Sequence, residues 1–304
     1  FDIYGYISLN QVSYILTYVS DYILSILSDY VINEKVYDHS GLQSKKIDKK
    51  SFNFFILAMG KMGSFELNYS SDIDIIFFYS LNYKKYRDIS ETKQIIIKRF
   101  KRLVKILTDL SEGDFIYRVD LRLRPDPSST PIAIDTDFAE HYYQKLGRTW
   151  ERMAFIKARP VAGNLNKGQK FLNKIDSFLW RKHFDYAAID DVRNLREKMK
   201  LNYPFPKSND LSGYNVKIGL GGIRDIELFT QTYQLIVAGR HLELRGSKTL
   251  DILNKLAELG WLDQESHNKL TVAYIFLRTI ENRLQIFNNC QIQNLPSENS
   301  KQFN

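Results

Sequence analysis

The stretch FNFFILAMGKMGSFELNYSSDIDIIFFY, residues 52–79, places an apolar run, a glycine-containing break and a second apolar run that opens on two acids in immediate succession. Residues 52–59 read as a buried strand, Gly60-Lys61-Met62-Gly63-Ser64 as a turn entering a short helix, and residues 72–79 as a second strand. Successive side chains of a strand point to opposite faces, so Asp72 and Asp74 share one face while Ile73 and Ile75 share the other. Neighbouring carboxylates repel unless positive charge comes between them, and a divalent cation with oxygen ligands is the usual resolution. By itself D-x-D equally describes an edge strand with two solvated acids. The preceding glycines change the balance. They let a turn approach a ligand closely, a following helix N-terminus favours phosphate, and Lys61 and Ser64 add donors.

Working outward, VDLRLRP at residues 119–125 alternates without a slip. Val119, Leu121 and Leu123 fall on one parity, and Asp120, Arg122 and Arg124 on the other. The pattern predicts a strand over residues 115–124, after a helix over 90–111 with Ser90 as its N-cap and before a short fourth strand at 131–134. Strand–helix–strand order predicts an α/β unit. If the third strand lies beside the D-x-D strand, Asp120 joins Asp72 and Asp74 as a third carboxylate, with Arg122 and Arg124 continuing along that face. Three acids hold two divalent ions, arginines meet phosphate oxygens bidentately, and two metals suit an in-line displacement at phosphorus. The plain alternative is an amphipathic strand with cross-strand ion pairs.

The rest of the chain is helical in pattern. Residues 6–34 read as one or two amphipathic helices, 35–51 as a lysine-rich loop, and 135–146, 167–182, 187–201, 247–259 and 263–289 as further helices. The sequence GRTWERMAFIKARPVAG (147–163) concentrates Arg148, Arg152, Lys157 and Arg159 around Trp150 and Phe155, a composition that suits an anionic nucleotide or a solvated basic helix with its aromatics in the core. VKIGLGGIRDIE (216–227) leads into a helix reaching about residue 238, and its glycines serve an anion or tight packing equally well. These patterns predict an N-terminal helical segment and loop (1–50), a catalytic domain (51–205), and a helical domain (206–304) with a sheet contribution from 215–220.

The 304 residues provide ample core, and a 44 % hydrophobic, 26 % charged composition is that of a globular protein. A net charge of +8 is a mild bias towards anionic partners, and with no basic arm it argues against nucleic acid. A single cysteine, Cys290, excludes a disulfide framework and suits a reducing cytoplasm. No unbroken run approaches ~18 apolar residues, so no membrane span is expected. The start lacks a methionine and a basic region, which predicts a piece of something longer rather than a secretion signal. The five histidines are scattered and suggest no zinc site, and neither a Walker sequence nor a G-x-S-x-G elbow occurs.

Taken together, GKMGSFELNYSSDIDIIFFY (60–79), FIYRVDLRLRPDPSSTPIA (115–133), YYQKLGRTWERMAFIKARPVAGN (142–164), VKIGLGGIRDIELFTQTYQLIVAGR (216–240) and LRTIENRLQ (277–285) with NLP (294–296) resemble one family. It is the bacterial glutamine synthetase adenylyltransferase / adenylyl-removing enzyme, of the DNA-polymerase-β-like nucleotidyltransferase fold. The resemblance implies an α+β / α/β architecture, a mixed sheet with helices followed by a helical bundle. It implies Mg²⁺ or Mn²⁺, two ions, on Asp72, Asp74 and Asp120. It also implies nucleotide and phosphate contacts from Gly60, Lys61, Gly63, Ser64, Ser71, Arg122, Arg124, Arg152, Lys157 and Arg159.

Family proteins carry two such units, one attaching AMP from ATP to a tyrosine of glutamine synthetase and the other removing it with inorganic phosphate to give ADP. The wording here is more similar to the removing unit, and control by a PII-type signal protein is implied. Ser64 stands where the family commonly has glycine, and DPSSTP (126–131) replaces a more usual glycine- and arginine-containing loop, so that loop is assigned no binding residue. Forward adenylyl transfer, a polymerase-β-like transferase acting on nucleic acid, and a regulatory module with a dead site are the alternatives. The intact acid trio speaks against the last.

Overall fold

The two apolar runs pair with each other. In the computed structural model, which describes residues 2–34, 52–85, 88–109, 114–183, 186–202, 211–288 and 291–296, strands β1 (Phe52–Ala58) and β2 (Ile73–Leu81) are antiparallel, with Phe55 opposite Phe78 and Ile56 opposite Phe77. Strands β3 (Val119–Asp120) and β4 (Ala133–Asp135) run parallel to β2 along its other edge, and β5 (Arg159–Gly163) is antiparallel to β1. The order is β3-β2-β1-β5, with β4 also on β2, a five-stranded mixed sheet. A parallel neighbour requires a crossover. Between β2 and β3 it contains helix α3 (Ile89–Thr108).

Both faces of the central strands are covered by aromatic packing, which supplies large buried area and defined ring geometry. On one face Phe100 of α3 stacks on Phe77 at 4.6 Å between centroids and meets Phe54 edge-on at 5.8 Å. On the other, Phe171 of α6 (Leu165–Lys174) lies 4.7 Å from Phe78. Tyr143 of α4 (Thr136–Lys145) meets Phe155 of α5 (Thr149–Phe155) at 4.7 Å.

Three local expectations are corrected. Helix α3 is capped by Asp88, whose carboxylate accepts the Glu91 N–H at 2.9 Å, not by Ser90, which lies inside the first turn. The strand expected over residues 115–124 pairs only at Val119–Asp120, because Asp120 Oδ1 accepts the Arg122 N–H at 2.8 Å and turns the chain off the sheet edge. Residues 215–220 add no strand. Among the described residues, Asn215 makes one isolated bridge to Asn294, and the segment then enters turns. The loop at 35–51, most of the turn-rich 203–215 and Cys290 lie outside the described residues.

Contacts divide the chain into two units. The described residues of Thr17–Phe65 and Asp72–Phe178 form the sheet unit, and those of Phe1–Leu16, Glu66–Ser71 and Leu179–Asn304 form the helical unit. The break falls at Phe178/Leu179, not near 205, because α8 (Tyr186–Asn202) packs on α9 (Ile223–Val237). With α10 (Thr249–Glu258) and α11 (Gln264–Asn288), α9 encloses Ile223, Ile226, Leu253 and Tyr274.

The ELNYSS and IENRLQ segments meet inside this unit. Arg278, 1 % exposed, donates to the Glu66 carbonyl at 2.7 Å, Asn68 Oδ1 at 2.5 Å and Tyr274 Oη at 3.0 Å, and stands 3.4 Å from Glu281. The Ser70 N–H donates to Gln285 at 2.9 Å, and the Thr249 N–H to Glu66 Oε1 at 3.0 Å.

Helix α1 (Leu9–Asn33) forms a single helix where one or two were expected. Tyrosines, serines and threonines interrupt its apolar runs, and by length and composition it is apolar enough to cross a membrane, a property that core helices share. Only 28 % of its most apolar stretch is buried. Its C-terminal end is tied into the sheet unit, where the Arg99 guanidinium donates to the carbonyls of Val31, at 3.2 Å, and Ile32.

Removing one partner of a buried ionic cluster leaves the others uncompensated, so Arg278→Ala is expected to lower unfolding free energy by about 3–5 kcal/mol. Urea denaturation measures this.

Candidate active site

The site begins with a lack of space. Gly60 opens the four-residue helix α2 (Gly60–Gly63) at φ +51°, and a Cβ there would lie 2.4 Å from Asp74 Oδ2. Only glycine combines that left-handed backbone with so close an approach. At Gly63 a Cβ would lie 1.8 Å from the Lys157 carbonyl oxygen and 2.8 Å from that of Ala58, so the turn is pressed between β1 and the segment joining α5 to β5. The Met59 N–H donates to the Asp74 carbonyl at 2.8 Å, closing the turn onto β2.

Asp74 stands in register with Asp120 on the neighbouring parallel strand. Register partners in a ladder face the same way, so the expected pairing and facing of these two acids hold. Asp72, one residue before β2, accepts a hydrogen bond from Arg118 Nε at 2.7 Å. Asp120 is gripped by Arg122 through Nε, at 2.9 and 3.0 Å, and through a terminal nitrogen at 2.5 Å. Burial pushes the Asp120 carboxyl up, but the side-chain and backbone hydrogen bonds from Arg122 outweigh it and hold the group below its ordinary range. The Arg122 side chain is itself 85 % exposed.

The other residues expected here are placed differently. Arg124 donates to the carbonyls of Leu121 and Pro127 at 2.8 Å, bracing its own loop. Ser64 is buried, and its hydroxyl donates to the Gly60 carbonyl at 3.1 Å. Ser71 Oγ accepts the Asn68 N–H at 3.1 Å within a turn of the helical unit's segment. Arg152 and Lys157 are buried, and Lys61 is half-buried on α2. Arg159 lies beneath the glycine turn, donating to the carbonyls of Gly63 at 3.1 Å and Met62 at 3.0 Å.

Arg118 is the site residue that sequence reasoning missed. Its signal was present, since it shares the parity of Asp120 and Arg122 one step upstream.

The donor set is chemically right for a hard cation: carboxylate oxygens of Asp72, Asp74 and Asp120. Among the described residues, no three His, Cys, Asp or Glu side chains converge closely enough to hold one, and Asp72 and Asp120 are turned onto arginines. The residues match a divalent ion in donor chemistry alone, and Arg118 and Arg122 supply the positive charge beside Asp72 and Asp120.

The family model described as glutamate-ammonia ligase adenylyltransferase matches residues 1–174, more than half of the chain. The chain belongs to the glutamate-ammonia ligase adenylyltransferase family. A second family model, GlnD PII-uridylyltransferase, matches residues 193–303. The first match thus ends within the last helical turns of the sheet unit, and the second lies wholly in the helical unit.

Several relatives named bifunctional glutamine synthetase adenylyltransferase/adenylyl-removing enzyme are similar to the chain. That of Rhodopseudomonas palustris is 47 % identical over 241 residues, covering 79 % of this chain and 24 % of the relative. That of Bradyrhizobium sp. is 46 % identical over 245 residues, 80 % and 25 %. That of Brucella melitensis is 44 % identical over 259 residues, 84 % and 26 %. The chain spans about a quarter of the length of these relatives.

The two glycines answer differently to substitution. Gly63→Ala meets backbone oxygen and is expected to destabilise by more than about 4 kcal/mol. Gly60→Ala meets the movable end of Asp74 and is expected to cost only about 1–2 kcal/mol, from its left-handed backbone. Denaturation of both variants checks the order. In Arg122→Ala the burial of Asp120 and the backbone N–H bond to it stay while the side-chain hydrogen bonds and the positive charge go, so its carboxyl is expected to titrate higher than in the parent, as read by carbon-13 chemical shift against pH.

Proposed function

We propose that the sheet unit is a DNA-polymerase-β-like nucleotidyltransferase domain that removes AMP from an adenylylated tyrosine of glutamine synthetase by phosphorolysis. The observation that supports it most is the register of Asp74 with Asp120, with the glycine turn closed against Asp74. In the reaction an oxygen of inorganic phosphate bonds to the α-phosphorus, the bond from phosphorus to the tyrosyl oxygen breaks, and the departing tyrosinate takes a proton from solvent. ADP is the other product.

Asp72, Asp74 and Asp120 would hold Mg²⁺ or Mn²⁺, which supplies positive charge at the reacting phosphate when bound. The chain's own residues do the positioning. The glycine turn keeps Asp74 against the sheet and leaves no side chain between them. Arg122, on an exposed side chain, transfers its guanidinium from Asp120 to a phosphate oxygen as substrate enters, and Arg118 holds Asp72 in the meantime. Positive groups aimed at the charge that develops on phosphorus lower the barrier most.

Glutamine synthetase as the protein substrate is supported by the relatives' names, and a PII-type partner by the second family match. The anchoring of α1 by Arg99 supports a helix packed on its domain rather than one in a bilayer, and a single cysteine suits a cytoplasmic setting.

Purified chain with phosphate and adenylylated glutamine synthetase is expected to release ADP. Asp74→Asn is expected to lower that rate by at least about 10³-fold with an unchanged melting temperature, since it removes a charge and not a packing group. Label entering unmodified glutamine synthetase from ATP, with no ADP released by phosphate, would assign the forward direction instead. Absence of both activities would refute the function.

A further inference from the structure

The guanidinium of Arg159 has nearly every donor committed. One terminal nitrogen meets Asp21 Oδ2 at 2.8 Å, and the other meets Asp21 Oδ1 at 2.8 Å and the Met62 carbonyl at 3.0 Å. Nε takes the Gly63 carbonyl at 3.1 Å, and the plane lies 3.9 Å from the ring centroid of Phe65. Phe65 holds φ +58°, a left-handed backbone that a residue with a bulky side chain adopts only when its surroundings enforce it. Asp21 lies on α1, and its side chain and that of Arg159 are 19 % and 20 % exposed. The fork is therefore bidentate and largely desolvated, the arrangement in which arginine binds carboxylate most specifically. Its remaining donors cap the carbonyls at the end of α2, the short helix whose first residue lies against Asp74.

We propose that Arg159 is a positioning residue, and that its ion pair with Asp21 makes helix α1 a working part of the site by clamping the glycine turn against Asp74. The chain of contacts runs from Asp21 to Arg159, from Arg159 to Met62, Gly63 and Phe65, and from Gly60 of the same turn to Asp74. Arg159 thus acts on the acid at the far end of the turn and not on phosphate. A lysine could keep the charge but not the fork, because one ammonium cannot span a carboxylate, two carbonyls and a ring face.

The catalytic half of the inference rests on the function proposed above, and the structural half does not. The test therefore has two arms on Asp21→Asn, Asp21→Glu and Arg159→Lys in the whole chain. Amide hydrogen exchange over residues 59–65 reads the clamp without any activity. Asp21→Asn and Arg159→Lys are expected to accelerate it by about 10-fold or more, and Asp21→Glu to restore it to within about 3-fold.

In phosphorolysis, kcat is expected to fall about 10–100-fold in Asp21→Asn and Arg159→Lys, with KM for phosphate changed by less than about 3-fold, because Asp74 is displaced while the phosphate-binding groups stay. Unchanged exchange in Asp21→Asn would overturn the proposal. So would a rise of more than about 10-fold in KM at constant kcat in Arg159→Lys, which would make Arg159 a direct phosphate ligand. Should Asp21→Asn fail to fold, Arg159→Lys carries both arms by itself. A wild-type chain inactive in both directions would refute the function and leave the exchange arm to judge the clamp.

Discussion

A side chain at residue 60 would press on the Asp74 carboxylate, and the arrangement of the sheet unit follows from that closeness. The left-handed backbone at 60 adds to the preference for glycine, which lets the turn lie directly against the acid. The turn then lies flat on the end of β2, with the Met59 amide bonded to Asp74's own carbonyl. The opposite end of the turn is squeezed by the Lys157 carbonyl at Gly63, which ties α5 and the start of β5 to the same point. A strand, a turn, a second strand and a returning third are locked around one acid by sterics, before any attraction is invoked.

Charge is arranged around that steric lock with arginines at several distances. Arg118 holds Asp72 and Arg122 holds Asp120, both at the sheet edge, and Arg122 is largely in solvent. Arg159 is withdrawn beneath the turn, and Arg124 is folded into its own loop. A guanidinium is always charged, so its role is decided by what surrounds its fork, not by its titration. Two of these groups neutralise carboxylates at the sheet edge, and two brace backbone carbonyls of turns.

The helical unit applies the same chemistry to stability. Arg278 is among the largest fully buried side chains, and its partners come from the ELNYSS segment and from α11 itself. Motifs that resemble a family signature are therefore not all site residues. The LRTIENRLQ segment supplies a buried ionic network that holds a loop backbone, which hydrophobic residues could not do because the carbonyl of Glu66 needs a donor.

The sequence by itself determined the mixed α and β character, the two apolar strands, the glycine break, and the shared facing of Asp74 and Asp120. Each of these is a local property of period, backbone freedom and side-chain alternation. Even Arg118 was legible by parity. Only the tertiary structure decided where that alternation stops, since Asp120 bends the chain through the Arg122 amide and ends β3 after two residues. Only it distinguished arginines that face the acids from those that brace carbonyls, and only it brought Asp21 to Arg159 from α1. Those are contacts between residues far apart in the chain, and no local period encodes which of several identical guanidinium groups will find a distant partner.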